Sequence, residues 1–280
     1  MDIKEALQSF SSMTSSARQA FFQKEGDWLL KEMLAHIGST DEKLRDRLIY
    51  RTFVDLLSDN FLSPQQLQYL FDTATSDDFL YADIGEQIGD SVFTRSFSAL
   101  LVANILTKDS ELLILDDSHL QLFFKKIGRY MLLEKDTRGY VEGKGWAHSL
   151  AHGADLAAAT IRHPKFDCQH APAILHALKL VTWKDVVYVN DEEERFVNIF
   201  EALLERNYSE DALSEWVEQA FDKFELHLVT QGYNESFFSG RTCTLNTMKT
   251  LFFALKMRNL APKLQNTLYI HVAKWLKLGS

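Results

Sequence analysis

Glycine and proline are scarce in this chain, twelve and four in 280 residues, against the ~12% the two reach together in average soluble proteins. All-β sandwiches and barrels need a turn every ~8–12 residues, and collagen-like or disordered chains need still more of both. Those classes are therefore excluded, and long helices are favoured. Cysteine is also nearly absent. Cys168 and Cys243 stand far apart with no Cys-x-x-Cys pair, which excludes a disulfide framework and a thiolate zinc site and fits a reducing cytoplasm. Long apolar runs are missing as well. The longest, such as Ala99–Ala103, fall far short of a membrane span, and Met1 to Glu5 shows no basic-then-apolar leader pattern. The expectation is a cytoplasmic protein with no membrane role.

What the chain does have is acid. Thirty Lys and Arg face 39 Asp and Glu, a net charge of −9. From Thr230 to Ser280 there is one acid, Glu235, and seven bases (Arg241, Lys249, Lys256, Arg258, Lys263, Lys274 and Lys277), a net +6, so the other 229 residues carry −15. An acidic body repels polyanions and argues against nucleic-acid binding. The basic end reads first as a solvated face, and second as a contact for an acidic partner.

Apolar residues recur at helical spacing almost throughout. Phe196, Ile199, Phe200, Leu203 and Leu204 fall at i, i+3, i+4, i+7 and i+8, and similar stripes run through Leu120–Met131, Leu213–Phe224 and Met248–Leu255. Ser39 with Glu42 reads as a capping box, Ser63-Pro64 as a helix start, and Ser209-Glu-Asp as an acidic first turn. Eleven to thirteen helices are counted. Val186–Val189 is the only β-like run, and it is read as a connector. No strict repeat or flexible linker appears. The fold expected over residues 1–280 is a single all-α domain of paired antiparallel helices in a right-handed α-α superhelix of the HEAT or armadillo kind. An α/α toroid or two bundles are the alternatives.

One segment departs from this pattern. Residues 138–155 read RGYVEGKGWAHSLAHGAD, and three of the twelve glycines, Gly139, Gly143 and Gly145, fall within seven residues. A helix is expected from about Trp146 to Arg162. On it His148, His152 and Asp155 stand at i, i+4 and i+7, within an arc of ~60°. Trp146, Leu150, Ala157 and Ile161 lie on the other side, and Ala151, Gly153, Ala154 and Ala158 are small enough for close helix approach. Three readings follow: a polar network that stiffens the fold; a pocket for a small anion at the helix N-terminus, with Arg138 and Lys144 beside it and His148 held neutral; and a divalent-metal site of His148, His152 and Asp155, with Glu142 as a further ligand. Sharper motifs fail. Ser149 stands where a zincin needs Glu, Gly139 and Gly143 enclose too few residues for a P-loop, and no Gly-x-Ser-x-Gly exists.

The run from Arg138 to Asp155 resembles the signature of a bacterial family known as domain of unknown function 2785. Further likeness lies in Asp90-Ser-Val-Phe-Thr-Arg95-Ser-Phe-Ser98 and Asp191-Glu-Glu-Glu-Arg195. The resemblance covers most of the chain and implies an all-α superhelical fold without an assigned activity. These segments add Arg95 and Asn104 as pocket candidates. Glu192, Glu194 and Arg195 read as first-turn charges and surface ion pairs, and His119 as a first-turn residue.

The leading expectation is a non-catalytic binding or interaction protein. Its concave pocket would be centred on His148, His152 and Asp155 and flanked by Arg95, Arg138, Glu142, Lys144 and Trp146, taking a small anionic ligand or a protein partner. The alternative is a hydrolase-type enzyme with a neutral histidine base oriented by Asp155, or a metal-binding protein. The oligomeric state is not legible in the residues.

Overall fold

The computed structural model describes residues 2–276; Lys277, one of the seven bases of the basic end, lies outside them. Twelve α-helices follow one another among the described residues: α1 (Ile3–Ser12), α2 (Ser15–Ala35), α3 (Arg51–Ser58), α4 (Pro64–Ala74), α5 (Ser91–Leu112), α6 (Asp117–Leu133), α7 (Ser149–Arg162), α8 (Ala171–Val181), α9 (Glu192–Glu205), α10 (Glu210–Gln231), α11 (Glu235–Arg258) and α12 (Pro262–Leu276). A π-helical segment, Lys43–Tyr50, runs directly into α3, and a 3₁₀ turn, Cys168–His170, precedes α8.

Alternate helices pack side by side. α3, α5, α7, α9 and α11 form one succession, while α6 with α8 and α10 with α12 pair in another. Consecutive helices also come close where a residue is small: a Cβ at Gly153 of α7 would come within 2.7 Å of the Tyr130 ring on α6. The apolar stripes are buried as their spacing requires, and one continuous core runs from Ile3 to Leu268. Three of the seven bases of the basic end pair within the chain: Arg258 with Glu201, Lys263 with Asp211, and Lys274 with Glu225. None of the described helices is long and apolar enough to cross a membrane.

Two local expectations change. Ser63 and Gln66 do cap each other at the start of α4. At the 39–42 turn, however, Asp41 rather than a Ser39–Glu42 box takes the amides of Lys43 and Leu44, while Ser39 accepts from the Asp41 amide. The glycine-rich segment, expected to lead into a helix at about Trp146, is a short hairpin of β1 (Tyr140–Val141) and antiparallel β2 (Gly145–Trp146). The Lys144 amide closes its turn on the Val141 carbonyl at 3.0 Å. Gly143 and Gly145 occupy φ of +73° and +81°, a region costly for residues with a Cβ. Gly139 is small for another reason: its missing Cβ would meet the Asn190 side chain at 2.1 Å.

The same hairpin delays α7. The amides of Ala147 and His148 donate to the carbonyls of Gly139 and Arg138, so the chain stays paired through His148. His148 turns left-handed at φ +49°, and the helix begins at Ser149 rather than at Trp146. Trp146 therefore stands on the hairpin, 39% exposed.

Candidate functional site

The site is built from the neighbouring helices α5, α7 and α9 and the end of the π-helical segment. His152, one turn into α7, is buried against Phe97 of α5, their rings edge-to-face at 5.6 Å. Its Nδ1 lies 2.6 Å from the Ser96 hydroxyl, and that hydroxyl also bonds the Ala147 carbonyl. A carbonyl only accepts, so the single Ser96 proton goes to Ala147 and the Ser96 oxygen must accept from His152. The imidazole proton is thereby fixed on Nδ1, and Nε2 is left as a bare acceptor. Among the described residues no group bonds Nε2, and the ring lines a cleft. Burial, then the neighbouring His148 and Arg195, pushes the His152 pKa down to about 3, so the ring is neutral throughout the physiological range.

The cleft has a volume of about 400 Å³, within the ~300–1,000 Å³ typical of small-molecule sites. Tyr50, Leu100, Ala103, Asn104 and Thr107 line one side; His152, Asp155, Ala158 and Ala159 form the floor; Arg162, Arg195 and Asn198 complete it. Asp155 accepts from Arg195 at 2.8 Å and from Asn198 at 3.4 Å. Burial raises the Asp155 pKa, while Arg195 and Asn198 oppose that rise. Asn104 donates to the Leu100 carbonyl at 2.8 Å and to the Tyr50 hydroxyl at 3.3 Å, so its carbonyl oxygen is left for other partners.

The structure brings together only some of the residues singled out in the sequence. His152 and Asp155 share the cleft. His148 packs edge-to-face on His152 at 5.9 Å, covered by the Trp146 ring at 4.4 Å. Its Nε2 is buried without a hydrogen-bond partner, 3.9 Å from Glu192, and burial lowers its pKa.

The flanking charges face elsewhere. Lys144 is held by Asp90 at 2.7 Å. Arg138 pairs with Asp136 and donates to the Gly89 carbonyl at 2.7 Å. Glu142 is exposed in the hairpin turn. Arg95 is fully buried and bidentate on Glu134 at 2.8 and 3.0 Å, a structural pair that leaves it away from the cleft. Among the described residues, no group of three or more His, Cys, Asp and Glu side chains is arranged to hold a metal ion. The expected His148–His152–Asp155 centre fails because Asp155 turns to Arg195 and His152 Nδ1 to Ser96.

The acid–base arrangement differs from expectation as well. Ser96, not Asp155, orients His152, and Ser96 is itself wholly buried with its proton committed.

Sequence reasoning missed Ser96, Tyr50 and Arg45, and read Arg195 only as a surface charge. Ser96 stands one residue after a singled-out arginine, but no local spacing links it to a histidine 56 positions on. Arg45, buried on the Phe93 and Phe97 rings at 4.3 and 4.7 Å, donates to the carbonyls of Lys144 and Trp146 at 2.9 and 3.4 Å and ties the hairpin to the π-helical segment. A π-helix widens the turn, and no periodicity marked it here. A larger concavity of about 530 Å³ lies between α4 and α6, but its histidine, His119, is half-exposed and already paired with Asp72 at 2.7 Å.

Comparison with known families matches residues 80–253 to the family described as protein of unknown function (DUF2785). That span holds the hairpin, helices α5 to α10 and most of α11. Comparison with curated proteins and with solved structures gives no match.

Proposed function

The chain belongs to the family of unknown function DUF2785, a membership that assigns no activity, and we propose that it is a non-catalytic binding protein that takes a small polar ligand in the α5–α7–α9 cleft. One observation carries this reading: a buried, neutral imidazole whose tautomer is locked by Ser96 lines the cleft with an unpartnered acceptor. A ligand donor entering the cleft can bond that nitrogen in place of water. The scaffold we propose is a single helical-repeat domain of paired antiparallel helices forming a right-handed α-α superhelix. Side-by-side packing of alternate helices supports it, as does the suitability of stacked helix pairs for presenting a surface to ligands. The expected cytoplasmic location fits the two free cysteines.

The test is calorimetric titration with a mixed set of small anionic and uncharged compounds. Ala159 is half-buried at the cleft floor, so Ala159→Phe fills the cleft without entering the core. It should abolish binding and leave the melting temperature nearly unchanged, while Lys144→Ala on the hairpin should bind as wild type does. Binding that survives Ala159→Phe would place the site elsewhere.

A further inference from the structure

We infer that the ligand of this cleft is an uncharged polyhydroxyl compound, of the sugar or cyclitol class, rather than a small anion; the inference rests on the cleft being a binding site.

The charges come first. Both cations at the cleft are engaged within the chain, Arg195 by Asp155 at 2.8 Å and Arg162 by Glu205 at 2.7 Å. Lys144 and Arg138, which an anion pocket would need, are neutralised by Asp90 and Asp136. An entering phosphate or carboxylate would meet the Asp155 carboxylate and have to break an existing ion pair to gain a cation. A cationic ligand would face both arginines. The cleft is balanced, and balance favours an uncharged occupant.

The hydrogen-bonding inventory comes next. The groups left open are of both kinds: the acceptors are His152 Nε2, the Asn104 carbonyl oxygen after both Nδ2 bonds are spent, and the Asn198 carbonyl oxygen, and the donors are the remaining N–H groups of Arg195 and Arg162. An anion offers only acceptors and would leave the three acceptors unsatisfied. The Tyr50 hydroxyl accepts from Asn104 and so keeps its own proton to give. Acceptors and donors side by side match hydroxyl groups, each of which donates once and accepts as well. Leu100, Ala103 and Tyr50 add an apolar flank against which the C–H face of such a molecule can lie. Each open acceptor is then met by a hydroxyl without disturbing an ion pair.

The experiment follows the His152 side-chain ¹⁵N resonances of the full chain during titration. Glucose, mannitol and myo-inositol serve as uncharged probes, and inorganic phosphate and citrate as anionic ones. At least one polyol should shift the Nε2 signal saturably while both anions leave it unmoved. Asn198→Ala should then weaken that polyol about three- to tenfold, the loss of one neutral hydrogen bond, with an unchanged melting temperature. If phosphate or citrate saturates the signal and no polyol does, the ligand class is overturned and the binding cleft stands. If no probe of either kind moves it, the ligand class and the cleft fall together.

Discussion

Ser96 and His152, 56 residues apart in the chain, are joined by a hydrogen bond of 2.6 Å that sets the tautomer of an imidazole lining the cleft. Replacing Ser96 by Ala takes away the acceptor for Nδ1–H and the donor to the Ala147 carbonyl together, in a fully buried place. The expected loss is ~1–3 kcal/mol of stability, measured by urea unfolding. The histidine ¹⁵N spectrum should change with it, from a single tautomer to a mixture. Unchanged stability together with an unchanged tautomer would show that the bond contributes nothing.

Stability should fall with acid in a way His152 dominates. Its folded pKa, about 3, lies below the ~6.5 of an unfolded histidine, so between those values the unfolded chain binds the extra proton. Stability is full above pH ~6.5 and declines as pH falls toward ~3, by at most ~1.4 kcal/mol per pH unit for one proton. His148 is shifted the same way by burial, whereas the raised Asp155 acts in the opposite sense. Comparing the wild type with His152→Gln isolates the term: the variant should show the shallower slope. Equal slopes would place the His152 proton equilibrium near that of a free histidine.

Arg95 and Glu134 make a buried pair whose partners are inseparable. Glu134→Gln or Arg95→Met leaves one charge or polar head without its counterpart and should cost ~3–5 kcal/mol. The double variant Arg95→Met with Glu134→Leu should recover much of that, because no charge stays buried. Thermal unfolding of the three variants checks the ordering. A single variant as stable as wild type would contradict the structural role given to Arg95.

The hairpin glycines should differ in their sensitivity. At Gly143 a Cβ meets nothing within 4 Å, so Gly143→Ala pays only the left-handed backbone cost, ~1–2 kcal/mol. At Gly145 it would press on the Glu42 side chain at 2.7 Å and on Arg45 at 3.0 Å, disturbing the bonds that hold the hairpin. Gly145→Ala should therefore be the more damaging of the two, with the difference read from their melting temperatures.

The all-helical architecture was legible because its cause is local. Stripes such as Phe196–Leu204 name their own periodicity, and Ser63-Pro64 and Ser209 mark helix starts without help from distant residues. The cleft was half legible: His152 and Asp155 share a helical face, and Asn104 interrupts an apolar one. The remainder depends on long-range pairing. Trp146 and His148 were placed on a helix because their spacing allowed it, yet the carbonyls of Arg138 and Gly139 hold the chain in a hairpin through that point. Arg195, 40 positions from Asp155, reads as a first-turn surface charge until α9 is laid beside α7. Arg95, Arg138 and Lys144 were expected at an anion pocket because a sequence shows charges but not the carboxylates that neutralise them.

The most direct test of the central claim is the side-chain ¹⁵N spectrum of His152 in the intact protein, first alone and then with the anionic and uncharged probes together. The account predicts a protonated Nδ1 and a bare Nε2 at neutral pH, well above its folded pKa of about 3, with the Nε2 signal moving when a probe enters the cleft. A protonated Nε2, or a bare Nε2 indifferent to every probe, would contradict it.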